Sequence, residues 1–172
     1  MRWGFDASRR RRIVALHEAS HAAASILAGG SAAVRLSIRR HPGGLYNFDG
    51  STQSRTHPRH TGFIAACGIL GEIRYLSARN LPPPPQGCWE ADLRNVMMAQ
   101  DDCDEGIRRA AAAVADDVTW SVIERLSDEL MSMWPDDVEL GPGRMASRCM
   151  PSNQIEDVCR DAGLVTYGRA AA

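Results

Sequence analysis

His17, Glu18 and His21 form an H-E-x-x-H pattern within His17-Glu18-Ala19-Ser20-His21. On a helix, residues four apart share a face with Cβ atoms about 5–6 Å apart, so both imidazoles could reach one ion. Imidazole nitrogens bind zinc at about 2.0–2.1 Å. Glu18 lies one step round from that line, poorly placed as a ligand but able to hydrogen-bond a water at the ion's open position. The chemistry would be hydrolysis. The ion acidifies the water and polarises a carbonyl, while Glu18 takes a proton during attack and passes it to the leaving amine. A blander reading has two partly buried core histidines, with Glu18 on the solvated face.

Two histidines do not complete a catalytic site, because such zinc ions take three protein ligands and a water. By residue type the third could be Glu72, Glu90, Asp92, Asp101, Asp102, His41, His57 or His60. A fourth protein ligand, from Cys88 or from a histidine between His41 and His60, would close the site. The chain would then be a catalytically silent zinc-binding module with an interaction or regulatory role.

These residues need a scaffold. Asp6 and Ser8 offer N-cap oxygens, Gly29-Gly30 is a stop signal, and Ile13, Leu16, Ala23 and Leu27 recur at helical spacing, which predicts a helix from about Ser8 to Ala28. Ala15, Ala19, Ala22, Ala23 and Ala24 flank the motif and are expected to leave space around an ion. Val34, Leu36 and Ile38 alternate with polar residues, so Ala33 to Arg39 reads as a half-buried strand. Pro42-Gly43-Gly44 turns the chain, Leu45 to Phe48 returns as a short strand, and Asp49 to His60 reads as an exposed loop. A second helix, apolar nearly all round and therefore central, is expected from Pro58 or Thr61 to Ser77; its Gly68 and Gly71 point to close approach of another element. Pro82 to Pro85 forms a stiff link. Helices follow from Glu90 to about Gln100, from about Asp104 to Trp134 ended by Pro135, and from Asn153 to Asp161 before Gly163. The fold class is therefore α+β and mainly helical, with the H-E-x-x-H helix, a small β-hairpin and a C-terminal helical bundle.

At 172 residues the chain has room for one domain, with the zinc site and hairpin in 1–100 and a helical tail in 101–172. A formal net charge of −1 gives no global attraction to nucleic acid, and none is expected as a partner. The run Arg9 to Arg12 reads as a solvated helix start. Five cysteines, an odd number without C-x-x-C spacing, read as reduced and mostly packed thiols of a cytoplasmic protein. The apolar stretch from Ile13 to Leu27 carries two His and a Glu and falls short of the roughly 20 residues of a spanning helix, so membrane insertion is not expected.

The stretch from Arg12 to Leu27 resembles the zinc helix of the FtsH family of ATP-dependent metalloproteases, whose core reads H-E-A-G-H-A. Val34 to Ile38 resembles the family's next strand, Gly68-Ile69-Leu70-Gly71-Glu72 stands where the family carries G-R-A-A-E, and Glu90-Ala91-Asp92-Leu93 resembles its N-D-L segment. The matches keep the family's order over roughly residues 12 to 99. The resemblance implies a zinc metallopeptidase domain with His17, His21 and Asp92 as ligands and Glu18 as the catalytic acid–base. Glu72 then matches the family's helix-two glutamate, suited to accept the outer N–H of a zinc-bound imidazole. Ser20 departs from the family's Gly, Gly87 aligns with a family glycine only through one inserted residue, and the prolines before it are unusual. No G-x-x-x-x-G-K-[ST] phosphate loop is present. The implied substrates are peptides or unfolded protein segments, taken up directly or delivered by a separate ATPase or adaptor.

Overall fold

The computed structural model describes residues 7–83, 88–99, 103–134 and 140–164. Asp6, Pro84, Pro85, Gly87, Gln100, Asp101, Asp102 and Pro135, all invoked above, lie outside them.

Helix α1 runs Ala7–Leu27 and carries the motif in its interior. It stops where the sequence supplies glycines: the Gly30 N–H donates to the Ser25 carbonyl at 3.0 Å and the Gly29 N–H to that of Ile26 at 2.9 Å. Gly29 has a φ of 78°, the left-handed conformation this ending requires and that lacks a steric penalty only for glycine. The chain then enters β1, Ser31–Arg40, whose Ala32, Val34, Leu36 and Ile38 are buried in alternation. Strand β2, Tyr46–Arg55, pairs antiparallel with β1, setting Ile38 opposite Phe48, Leu36 opposite Gly50 and Val34 opposite Thr52. A third strand, β3 (Met145–Met150), pairs antiparallel with the other edge of β1, giving the order β2-β1-β3. The helices are α2 (Thr61–Ala78, preceded by a 3-10 turn at Pro58–His60), α3 (Glu90–Met97), α4 (Cys103–Ala115), α5 (Asp117–Met133) and α6 (Ser152–Asp161). The class is α+β and mainly helical, as expected.

Several expectations need correction. The polar stretch after Phe48 is not a loop: β2 continues to Arg55. Its inner positions Gly50, Thr52 and Ser54 are small and polar because they meet Glu18 and Ser25 of α1, so they carry no apolar alternation. Leu45 stays outside the strand and exposed. The C-terminal part is not purely helical, since β3 lies within it; of its residues only Met150 is buried, so it leaves almost no hydrophobic period. The expected long helix after Asp104 breaks at Asp116, whose carboxylate accepts from the Thr119 backbone N–H at 2.8 Å and caps α5. The arginine run is only partly solvated, because Arg10, Arg11 and Arg12 are half-buried. Arg12 reaches α5, donating to Ser127 Oγ at 3.2 Å and pairing with Asp128.

α1 is the hub, packing against α2, α5, β1 and β2. Ala15, Ala19, Ala22, Ala23 and Ala24 are almost wholly buried. They let neighbouring elements approach closely; they do not open space for an ion. Ser20 is buried with its Oγ donating to the Leu16 carbonyl at 2.8 Å, and it fits against α2 only because residue 71 is glycine: a Cβ there would collide with Ser20 Oγ. Among the described residues no helix is long and apolar enough to cross a membrane.

The Ser20–Gly71 contact yields a test of this packing. Gly71→Ala should destabilise the protein by about 1–3 kcal/mol through overpacking, although alanine is the better helix former. In a Ser20→Gly background the same change should become neutral or stabilising. Chemical denaturation of the four proteins measures the coupling, and additive effects would rule out this contact as the constraint.

Candidate metal centre

His17 and His21 meet edge to face on α1, their ring centroids 4.6 Å apart. Each is fixed by α2 through Nδ1. His21 Nδ1 is 2.8 Å from the Ile64 carbonyl oxygen, which can only accept, so that nitrogen carries the proton. His17 Nδ1 is 3.0 Å from Glu72 Oε2, and the same oxygen accepts from Trp89 Nε1 at 2.9 Å. Gly68 makes room for this arrangement, because a Cβ there would overlap the His21 ring.

With both Nδ1 atoms committed, the Nε2 atoms of the neutral rings hold lone pairs, and they point at each other across 3.0 Å. α3 adds a third acceptor: Asp92 Oδ2 stands 2.9 Å from His17 Nε2 and 3.4 Å from His21 Nε2. Three lone-pair-bearing atoms thus converge with no donor among the neutral rings and the carboxylate, an arrangement that a cation in their midst would satisfy. A tetrahedral ion at zinc–nitrogen distances of about 2.0–2.1 Å would set its donors roughly 3.3 Å apart. The observed triangle of 2.9, 3.0 and 3.4 Å is close to that size, with two edges a few tenths of an ångström shorter. Two imidazoles and a carboxylate suit zinc and, less selectively, other divalent transition metals.

A proton is the other cation that could enter. Burial opposes a charged His17, but its hydrogen bonds to Asp92 and Glu72, with the negative charges of Glu18 and Glu72, prevail and lift it from the usual 6.5 to about 10. Burial also works against ionised Asp92, yet its hydrogen bonds to His17 and His21 hold it well below the usual carboxylate range. A proton and a metal ion would therefore compete for one position.

Glu18 sits beside the cluster, nearly buried, against β2. Its Oε2 accepts from Thr52 Oγ1 at 2.6 Å. Gly50 lets the strand press on the carboxylate, for a Cβ there would collide with the Glu18 side chain. Glu18, His17, His21, Asp92 and Glu72 all border one cavity of about 860 Å³, walled by α1, α2, α3 and β2.

Of the candidates raised from residue type, Asp92 joins the two histidines and Glu72 stands behind His17. Glu90 is exposed and pairs with Arg94 at 3.3 Å. His41, His57, His60 and Cys88 are not part of the cluster, which among the described residues is His17, His21 and Asp92. Cys88 does border the cavity, and burial together with the Glu72 charge pushes its thiol pKa up. Cys67 and Cys159 are buried, which raises both thiols, Cys159 to about 12; Cys88 and Cys149 are exposed, so fewer thiols are packed than expected. Thr52, Trp89 and the Ile64 carbonyl carry no motif of their own. Only a correct strand over 46–55 could have pointed to Thr52.

The raised His17 pKa stabilises the metal-free fold fully below about pH 6.5, and that contribution is lost as pH rises through about 10. Asp92 acts in the opposite sense, its contribution being lost as pH falls below the usual carboxylate range. Chelator-treated protein should therefore lose stability in denaturant between pH 7 and 10. At neutral pH, uptake of a divalent ion should release about one proton per ion in a lightly buffered titration. Uptake without proton release would contradict the assignment of the proton to His17.

Comparison of the chain with protein families, with curated proteins and with solved structures found no match, so the site is read from its own geometry.

Proposed function

We propose that this chain is a zinc-dependent metalloendopeptidase that hydrolyses peptide bonds in peptides or unfolded protein segments. The observation that carries the reading is the convergence of His17 Nε2, His21 Nε2 and Asp92 Oδ2 beside the Glu18 carboxylate, in one cavity. Three protein ligands leave an ion one open position, as hydrolytic zinc sites do, whereas structural sites close with four. A purely structural site would also have no use for a nearly buried carboxylate at its edge.

A zinc ion held by these residues would polarise the scissile carbonyl and acidify a water. Glu18 accepts the proton as the water oxygen bonds to the carbonyl carbon, and returns it to the amide nitrogen as the C–N bond breaks. Thr52 holds one Glu18 oxygen, which orients the other. Glu72 and the Ile64 carbonyl hold the two rings so that both Nε2 atoms face the ion, the role outer hydrogen bonds play at histidine–zinc sites. β2 is an edge strand whose residues line the cavity, so an extended substrate could lie alongside it and gain main-chain hydrogen bonds.

The order of the motifs supports an FtsH-like peptidase. The exchange of Ser for the family's Gly at position 20 is offset by Gly for its Ala at position 71, the two positions that touch here. Substrate could enter unaided or be delivered by a separate ATPase or adaptor. The free cysteines fit a reducing, cytoplasmic setting.

The test compares zinc-loaded wild type with Glu18→Gln on an unfolded casein-like substrate, with a chelator control. Glu18→Gln should keep one zinc per chain and lose activity by about 10²–10⁴-fold, and chelation should abolish it. A protein that holds zinc yet cuts nothing would instead be a silent zinc-binding module or await a delivery partner.

A further inference from the structure

Arg10 stands in the wall of the same cavity, with no carboxylate paired to it among the described residues. It lies seven residues before His17 on α1, two turns or about 10.5 Å along the axis, and both residues border the cavity. Its guanidinium packs against the Phe48 ring of β2, 5.7 Å from the centroid. Arg11 packs on the same ring at 5.0 Å. Contact with an aromatic face orients a guanidinium but does not neutralise it. Arg10 Nε is buried without a hydrogen-bond partner, and among the described residues no carboxylate pairs with Arg10. Asp49, the acid that β2 adds to the cavity, is engaged elsewhere: Asn47 Nδ2 donates to both of its oxygens at 3.0 Å.

A half-buried cation that no carboxylate neutralises is costly to keep unless an anion arrives. The planar fork of arginine matches a carboxylate, and Ile13 and Val14, which border the cavity between Arg10 and His17, offer an apolar stretch on the way. An extended peptide advances about 3.3 Å per residue, so two helical turns correspond to about three residues.

We infer that Arg10 is a specificity-determining residue that binds a substrate carboxylate about three residues from the bond presented to His17, His21 and Asp92. The inference rests on the peptidase reading of the site. The carboxylate is either an Asp or Glu side chain or a free C-terminus.

The experiment measures binding and cleavage separately. Zinc-loaded Glu18→Gln protein is titrated with fluorescent peptides in matched pairs: Glu against Gln at the third residue from the expected cleavage point, and free C-terminus against C-terminal amide. Fluorescence anisotropy should show the acidic member of at least one pair binding on the order of tenfold tighter, and the pair that responds names the source of the carboxylate. Adding Arg10→Gln should bring the ratio close to one and leave the neutral peptides bound as before. Arg10→Lys, which keeps the charge without the fork, should give an intermediate ratio. Equal binding of acidic and neutral peptides, no binding of any acidic peptide, or a ratio unchanged by Arg10→Gln would overturn the inference. If Arg10→Gln does not fold, the ratios of the parent and Arg10→Lys decide. Cleavage by protein with Glu18 intact separates the two claims. Cutting of both members with equal binding removes the carboxylate site and leaves the peptidase. Arg10-dependent binding without cutting removes the peptidase and leaves the carboxylate site.

Discussion

Everything at this site depends on where the two imidazoles put their Nδ1 protons. α2 decides that. Ile64, Gly68 and Glu72 follow one another at four-residue intervals along the α2 face that meets α1. The first offers a carbonyl to His21, the second leaves a gap for its ring, and the third offers a carboxylate to His17. A neutral imidazole has one proton to give. Once it is given outward to α2, the other nitrogen turns a lone pair into the cavity. Helix spacing alone would bring the two rings together, but it would not orient them.

The remaining parts answer to that arrangement from other sides. α3 delivers Asp92 to complete the triangle, and Trp89, at its N-terminal end, shares Glu72 with His17, tying the Asp92 helix to the orienting carboxylate. β2 holds Glu18 with Thr52 and comes close enough to do so because residue 50 has no side chain. The buried alanines of α1 allow both neighbours to approach at once. Four elements thus meet around one cluster of three donor atoms, and a small shift in any of them would reach the centre.

Much of this was legible in the sequence, for a physical reason. The H-E-x-x-H spacing puts both imidazoles on one helix face, β1 carries a strong period, α1 ends at a glycine pair and α2 is a long apolar run, so their limits lie within a few residues of those expected. The structure brings Asp92 and Glu72 to the histidines, but residue type alone leaves Asp92 among eight candidates, and only resemblance singles it out. What was missed lies where burial is not apolar. The inner face of β2 reads Gly50, Thr52 and Ser54 because it faces a carboxylate and a serine, and such a strand looks like a loop. β3 contributes one buried side chain, Met150, so its pairing is set by the β1 backbone. Arg10 is hidden for a similar reason: within a run of four arginines, nothing in the sequence tells the one bordering the cavity from its neighbours.

The central claim is that His17, His21 and Asp92 make a three-ligand cation site with one position open to solvent or substrate. X-ray absorption spectroscopy at the zinc edge, on protein reconstituted with one ion per chain, tests it most directly. The account predicts two imidazole nitrogens at about 2.0–2.1 Å, with the remaining first-shell scattering from oxygens at about 2.0–2.2 Å, one of them exchangeable with added small anions. A sulfur at about 2.3 Å, which would place Cys88 on the ion, or a third imidazole in place of the carboxylate, would contradict it.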